Sequence, residues 1–181
     1  SISILWAFGD KETRDGIDEC MRKAAEMTID YFENEYATTR AGQGGVASVS
    51  ADGVAGFVFD HYDSRDGDPQ PHKHIVISNR VRRSSDKVWT ALDGRKIYAG
   101  MVEISEVHEN LLQDLLTERF GWSWTLKQDH DTKAMVNEID GVPQELIDAF
   151  SGRHAEIAKE VERRIKEEER ETGREVGPRR K

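Results

Sequence analysis

Three of the chain's six histidines fall within "HYDSRDGDPQPHKH", at positions 61, 72 and 74. His72 and His74 are separated only by Lys73. On a β-strand that spacing points both imidazoles to one face, with Cβ atoms roughly 6–7 Å apart, close enough to share one metal ion. His61 closes the preceding apolar run and has the same parity as Phe57 and Phe59. If the two runs pair antiparallel through the 62–71 turn, His61 swings over the same spot. Three neutral imidazoles without a strong fourth ligand make an open divalent site of the catalytic type, and an open coordination position can take a phosphate oxygen. Exposed histidines on a strand edge and in a loop satisfy the same spacing, so convergence of the rings is the deciding feature.

The charge around the trio suits a phosphate-bearing partner better than the whole chain does. The formal net charge is −9, yet residues 61–100 carry eight Lys/Arg against five Asp/Glu. "NRVRRSSDKVW" supplies Arg80, Arg82, Arg83 and Lys87. A nucleic-acid backbone responds to such a local island within a Debye length, although a solvated loop is an equally good account of it. The remaining histidines are scattered: His108 belongs to an apolar helical stripe and is expected to pack, while His130 and His154 are expected to face solvent. Trp122 and Trp124 share a parity that could stack bases, but paired aromatics are more often core. The single cysteine, Cys20, excludes an internal disulfide framework and suits a reducing, cytoplasmic setting. No run approaches 18 consecutive apolar residues, so no membrane contact is expected.

The elements that must hold the histidines follow from periodicity. Residues 1–8 are an apolar helix or strand. Asp10 caps a helix to about Tyr36, with Ile17, Cys20, Met21, Ala24, Ala25, Thr28, Tyr31 and Phe32 on one face. "GGVASVSADG" and "GVAGFVFDHY" are extended, and Asp52-Gly53 between them signals a hairpin. After the "SRDGDPQP" turn, "HKHIVISNR" is apolar on both faces and is expected to be a central strand, followed by a strand in "KVWTAL". A second long helix is predicted over Ile97–Phe120, with Met101, Ile104, His108, Leu111 and Leu115 on its stripe. A hairpin follows in 121–141, then a short helix from Pro143 to Phe150 and another from Ser151 to about Lys166. The class is α+β, with one domain over 1–166 and a charged, disordered tail over 167–181.

"FDHYDSRDGDPQPHKHIVISN" resembles the metal-binding segment of the TrwC/TraI-type (MobF) conjugative relaxases, through His61, Ser64, Arg65, Asp68, Pro69, His72, His74 and Asn79. "SISILWAFGDKETRDGIDEC", "WTALDGRKIY" and "GVPQELIDAFSGRHAEI" extend the resemblance from Ser1 to about Val161. It implies a palm-like antiparallel sheet of about five strands with flanking helices and a helical C-terminal extension. It implies an enzyme that nicks one DNA strand at a plasmid transfer origin. A tyrosine attacks the scissile phosphodiester, and His61, His72 and His74 hold a divalent ion (Mg, Mn or Zn) against the phosphate. The partners implied are single-stranded DNA at the origin and other relaxosome proteins, with the chain itself a monomer.

Beside the resemblance stand expectations for supporting residues and two departures from the family's pattern. Arg65 either pairs with Asp68 to lock the turn, the favoured role, or contacts phosphate, and Asn79 caps the strand end. Arg82, Arg83, Lys87 and Arg153 contact DNA. Lys73 stands where the family has a small residue, which suggests that the face opposite the ligands is partly wet. The family's nucleophilic tyrosines lie upstream of this stretch, and none of Tyr31, Tyr36, Tyr62 or Tyr98 matches them, so the fragment alone is expected to be inactive. A non-catalytic module that binds metal and single-stranded DNA is the alternative. An unrelated metal-dependent hydrolase would need a carboxylate base, and Asp60 and Asp63 are badly placed for it.

Overall fold

Asp10 begins the main helix as the sequence predicts: its carboxylate accepts the Thr13 N–H at 2.8 Å, satisfying a donor the first turn leaves unpaired. The structure is a computed structural model that describes residues 1–65, 67–128 and 135–150, together with 163, 166, 167 and 170. Its helices are α1 (Ile2–Phe8), α2 (Lys11–Tyr36), α3 (Gly94–Phe120) and α4 (Gln144–Ala149). Helices α2 and α3 run antiparallel, with Cys20 against Leu115, Thr28 against His108 and Tyr36 against Glu103. Of the α2 stripe, Ile17, Cys20, Ala24, Ala25, Thr28 and Phe32 are buried. The α3 stripe is shifted from expectation: Gly100 and Leu116 are buried, whereas Met101 is exposed. Gly100 is the reason, because its missing side chain lets the buried Tyr36 ring lie directly against the α3 backbone.

The α+β class is the expected one. Its eight strands form four two-stranded antiparallel ladders: β1 (Thr38–Ala41) with β2 (Ala47–Ser50), β3 (Gly56–Asp63) with β4 (Pro69–Ile77), β5 (Arg80–Arg82) with β6 (Trp89–Ala91), and β7 (Trp124–Gln128) with β8 (Met135–Ile139). Isolated bridges Thr39–Leu92 and Ala51–Arg83 join the first and third ladders. Among the described residues no single five-stranded sheet is formed, and β4 is not central, since it pairs with β3 alone.

The hairpin expected across Asp52-Gly53 is not formed. Strand β2 turns back onto β1, whose "TTRA" lies directly after α2 and carries no apolar alternation to mark it. Asp52 instead bonds to the third ladder, its N–H donating to the Arg82 carbonyl at 2.8 Å. The hairpins through 64–68 and between β7 and β8 are both present. Ile4, Ile139 and Val142 form one buried cluster with Leu146 and Phe150, and Ile17, Cys20 and Leu116 form another; Trp122 and Trp124 pack against both. The two tryptophans are therefore core residues. The turn at 129–132 and residues 151–162 of the helix expected from Ser151 lie outside the described residues; Arg163, Lys166, Glu167 and Arg170 are helical, on both sides of the boundary expected at 166.

Candidate metal centre

The register of β3 and β4 brings the histidines together. His61 pairs directly with His72 and Phe59 with His74, so all three imidazoles leave one face. Ring centroids are 4.5 Å apart for His61–His74, 4.9 Å for His72–His74 and 5.3 Å for His61–His72. One potential ligand atom from each lies within 4.8 Å of the other two, the only such three-residue group among the described residues. His72 is half-buried; His61 and His74 are exposed. The Nδ1 of His72 lies 2.7 Å from the Gln70 carbonyl and donates to it. That contact fixes the tautomer of the neutral ring and turns the Nε2 lone pair toward His74, the usual arrangement behind a metal-ligating histidine.

These donors fit a divalent ion. Metal–nitrogen bonds of about 2.0–2.1 Å place neighbouring ligand nitrogens about 3.0–3.4 Å apart, and the Nε2 atoms of His72 and His74 are 3.1 Å apart. No Asp, Glu or Cys joins the group among the described residues, so the rest of the coordination sphere is left to water or substrate oxygen.

The opposite face of the hairpin is partly wet, as expected: Val58, Asp60 and Tyr62 are exposed there, and Lys73 is sheltered. Lys73 pairs with Asp60 across the ladder, and its side chain is only 11% exposed. Tyr62 stacks on Trp6 at 5.1 Å, and the Trp6 indole donates to Asp18 of α2 at 3.0 Å. Burial holds the Asp18 carboxyl above the ordinary range, offset in part by the Trp6 bond and by Lys73. Asp60 is thus turned from the histidines and engaged by Lys73, which removes the nearest candidate base for a simple metal hydrolase. This layer of Trp6, Asp18, Asp60 and Lys73 escaped the sequence reading; the matched positions of Asp60 and Lys73 around the turn were its one signal.

The other candidate residues have mixed placements. Arg65 is exposed and forms no ion pair with Asp68. Ser64 closes the turn instead, its N–H donating to the Asp68 carbonyl at 2.9 Å and its Oγ accepting the Asp68 N–H at 3.2 Å. Arg82 and Lys87 both engage Asp52, at 2.7 and 2.9 Å, and Arg83 engages Asp86 at 3.1 Å. Lys87 first, then Arg82, hold the Asp52 carboxyl below its usual range. Much of the basic island is therefore engaged by Asp52 from the segment after β2 and by Asp86 of its own loop. The Asn79 carbonyl accepts the Leu92 N–H at 3.3 Å, and among the described residues its side chain caps nothing. His108 packs as expected, 3.0 Å from the Thr28 hydroxyl, with burial lowering its pKa. Arg153, His130 and His154 lie outside the described residues.

None of the four tyrosines is a residue of the histidine face. Tyr31 and Tyr36 both donate to Glu103, and that bond pushes the Tyr31 hydroxyl up to about 12, the reverse of an activated nucleophile. Tyr62 lies on the face opposite the histidines, stacked on Trp6, and Tyr98 is an exposed residue of α3.

Known proteins resemble this chain in sequence and fold. The chain is 26% identical over 169 residues to the multifunctional conjugation protein TraI of Escherichia coli (strain K12), an overlap of 89% of this chain and 9% of TraI. It superposes with a TM-score of 0.72 and 25% identity on the copper-bound conjugative relaxase TrwC in complex with oriT DNA, covering 87% of this chain and 50% of that one. For TrwC complexed with a 27-mer DNA comprising the recognition hairpin and the cleavage site, the TM-score is 0.71 at 25% identity, over 91% and 55% of the two chains. The chain thus spans about half of the TrwC chains and under a tenth of TraI. The sequence pattern of the TrwC relaxase family extends over residues 1–179. With that match and the histidine platform in place, this chain belongs to the TrwC relaxase family.

Proposed function

We propose that the chain is part of a conjugative relaxase that makes a site- and strand-specific nick in single-stranded DNA at a transfer origin. The observation that carries this reading is the convergence of His61, His72 and His74 on one open face, in a chain of the TrwC relaxase family. These histidines would hold a divalent ion, of which Mg, Mn and Zn are the candidates. When bound, the ion supplies electrostatic stabilisation of the charge developing on the scissile phosphate.

The chain's own residues supply the platform. Gln70 fixes the tautomer of His72, and the open face admits a phosphate to the three rings. Among the described residues Arg65 has no ion-pair partner, and it would meet the DNA backbone; Arg82, Arg83 and Lys87 would exchange Asp52 and Asp86 for phosphates. In the reaction a tyrosyl oxygen displaces the 3′-oxygen at phosphorus, leaving a 5′-phosphotyrosyl link and a 3′-hydroxyl. The placements of Tyr31, Tyr36, Tyr62 and Tyr98 favour an attacking hydroxyl supplied from outside this chain, which by itself then binds metal and DNA without cutting. Origin DNA and relaxosome proteins would be its partners, with the chain monomeric and in the cytoplasm. Among the described residues no helix is long and apolar enough to cross a membrane.

Incubation with a transfer-origin single strand and Mn²⁺ tests the reading. The chain should retard the strand, take up Mn²⁺ at the three histidines and form no covalent adduct. A phosphotyrosyl product on one of the four tyrosines would contradict the assignment of the nucleophile, and absent strand binding or absent Mn²⁺ uptake would contradict the reading.

A further inference from the structure

Lys73 sits between two candidate ligands in sequence, directly beneath them in space. On β4 it alternates with His72 and His74, so its side chain leaves the opposite face. There it pairs with Asp60, its register partner, flanked by the His61–His72 and Phe59–His74 pairs. Burial of the two partners is unequal, with 11% of the Lys73 side chain exposed against 52% for Asp60.

The hairpin that carries the trio has few other restraints on its register. All eight residues of β3 are exposed, and among the described residues neither strand has a third partner. A register irregularity follows His61 at once, between it and Asp63. A slip of one residue turns every side chain of a strand to the other face, which here would part His61 from His72 and His74. The same slip would part the Lys73 ammonium from Asp60 and leave it, in its half-dry layer, only the field of Asp18 without an ion-pair contact, a state that costs more than an exposed pair gains. The stack of Tyr62 on Trp6 restrains the hairpin against α1, but an apolar ring contact tolerates sliding better than an ion pair does.

We infer that Lys73 is a positioning residue for the metal centre: through Asp60 it locks the cross-strand register that holds His61 over His72 and His74. This rests on the trio being a divalent site. Lys73 itself touches no ligand atom.

Two effects of Lys73 have opposite signs, so they can be separated. As a nearby cation it opposes a second cation, and its removal would tighten metal binding. As the register lock it favours metal binding, and its removal weakens it. The test is titration of the whole chain with Co²⁺, followed by the visible band that imidazole ligation produces. Lys73→Met and Asp60→Asn should each weaken Co²⁺ binding about tenfold or more and diminish the band. The charge-reversed double variant, Asp60→Lys with Lys73→Asp, should restore both. Asp60 is half-exposed, so Asp60→Asn carries the test if Lys73→Met does not fold. Binding by Lys73→Met as tight as the unaltered chain or tighter would overturn the inference, as would unchanged binding by Asp60→Asn or a double variant no better than the single ones. If the unaltered chain does not bind, or His72→Ala binds equally well, the divalent site itself fails instead.

Discussion

The Nε2 atoms of His72 and His74 lie 3.1 Å apart, and the far nitrogen of His72 is held by the Gln70 carbonyl at 2.7 Å. This relationship turns two neighbouring histidines into a directed pair. With Nδ1 of His72 donating, its other nitrogen points a lone pair at the space His74 faces, and His61 is its direct cross-strand partner. The ladder fixes where the rings can be, and one carbonyl fixes how one of them is protonated.

The basic loop gives a prediction with a definite slope. If Arg82 and Lys87 leave Asp52 for DNA phosphates, replacing both by Ala should flatten the log–log salt dependence of single-strand binding by about 1.4, two contacts at about 0.7 each. Filter binding between low and moderate salt measures it. An unchanged slope would confine both residues to holding Asp52.

His108 makes stability depend on pH. Burial lowers its pKa, so the fold favours the neutral ring bonded to Thr28. As pH falls below about 6.5 the unfolded chain takes up the proton first. The stabilisation is therefore complete above that value and is lost as pH falls through the lower folded value. His108→Gln, which can still donate to Thr28, should show a flatter loss of melting temperature between neutral and mildly acidic pH. Parallel curves for the two proteins would contradict the assignment.

Gly100 opposes two effects of known size. A Cβ there would lie 2.0 Å from Cε1 of Tyr36, a buried ring whose hydroxyl donates to Glu103 at 2.7 Å. Helix propensity favours Ala over Gly by about 1 kcal/mol, and forcing atoms into a filled space costs about 1–3 kcal/mol. Because the ring is anchored at its far end, the steric term should win, and Gly100→Ala should lower the urea midpoint. A raised midpoint would show that α2 and α3 separate freely.

How much was legible in the sequence follows from how local each signal is. The Asp10 cap, the α2 stripe and the parity of His61, His72 and His74 are written within a few residues and came through intact. Asp52-Gly53 misled because a turn signal does not name its strands: β2 pairs backwards to β1, a partner without alternation. The bonds of Arg82 and Lys87 to Asp52 span 30 and 35 residues and depend on how two ladders meet, so a basic island in sequence became an ion-paired one in space. Lys73 was visible as an oddity, but its burial comes from Trp6 and α2 closing over the hairpin, which no local pattern announces.

The central claim is that His61, His72 and His74 hold one divalent ion together. Anomalous diffraction from crystals grown with Mn²⁺ tests it most directly. A single peak is expected about 2 Å from a nitrogen of each ring, lost in His72→Ala. A map without density between the three rings, or a peak that persists at full height in His72→Ala, would contradict it.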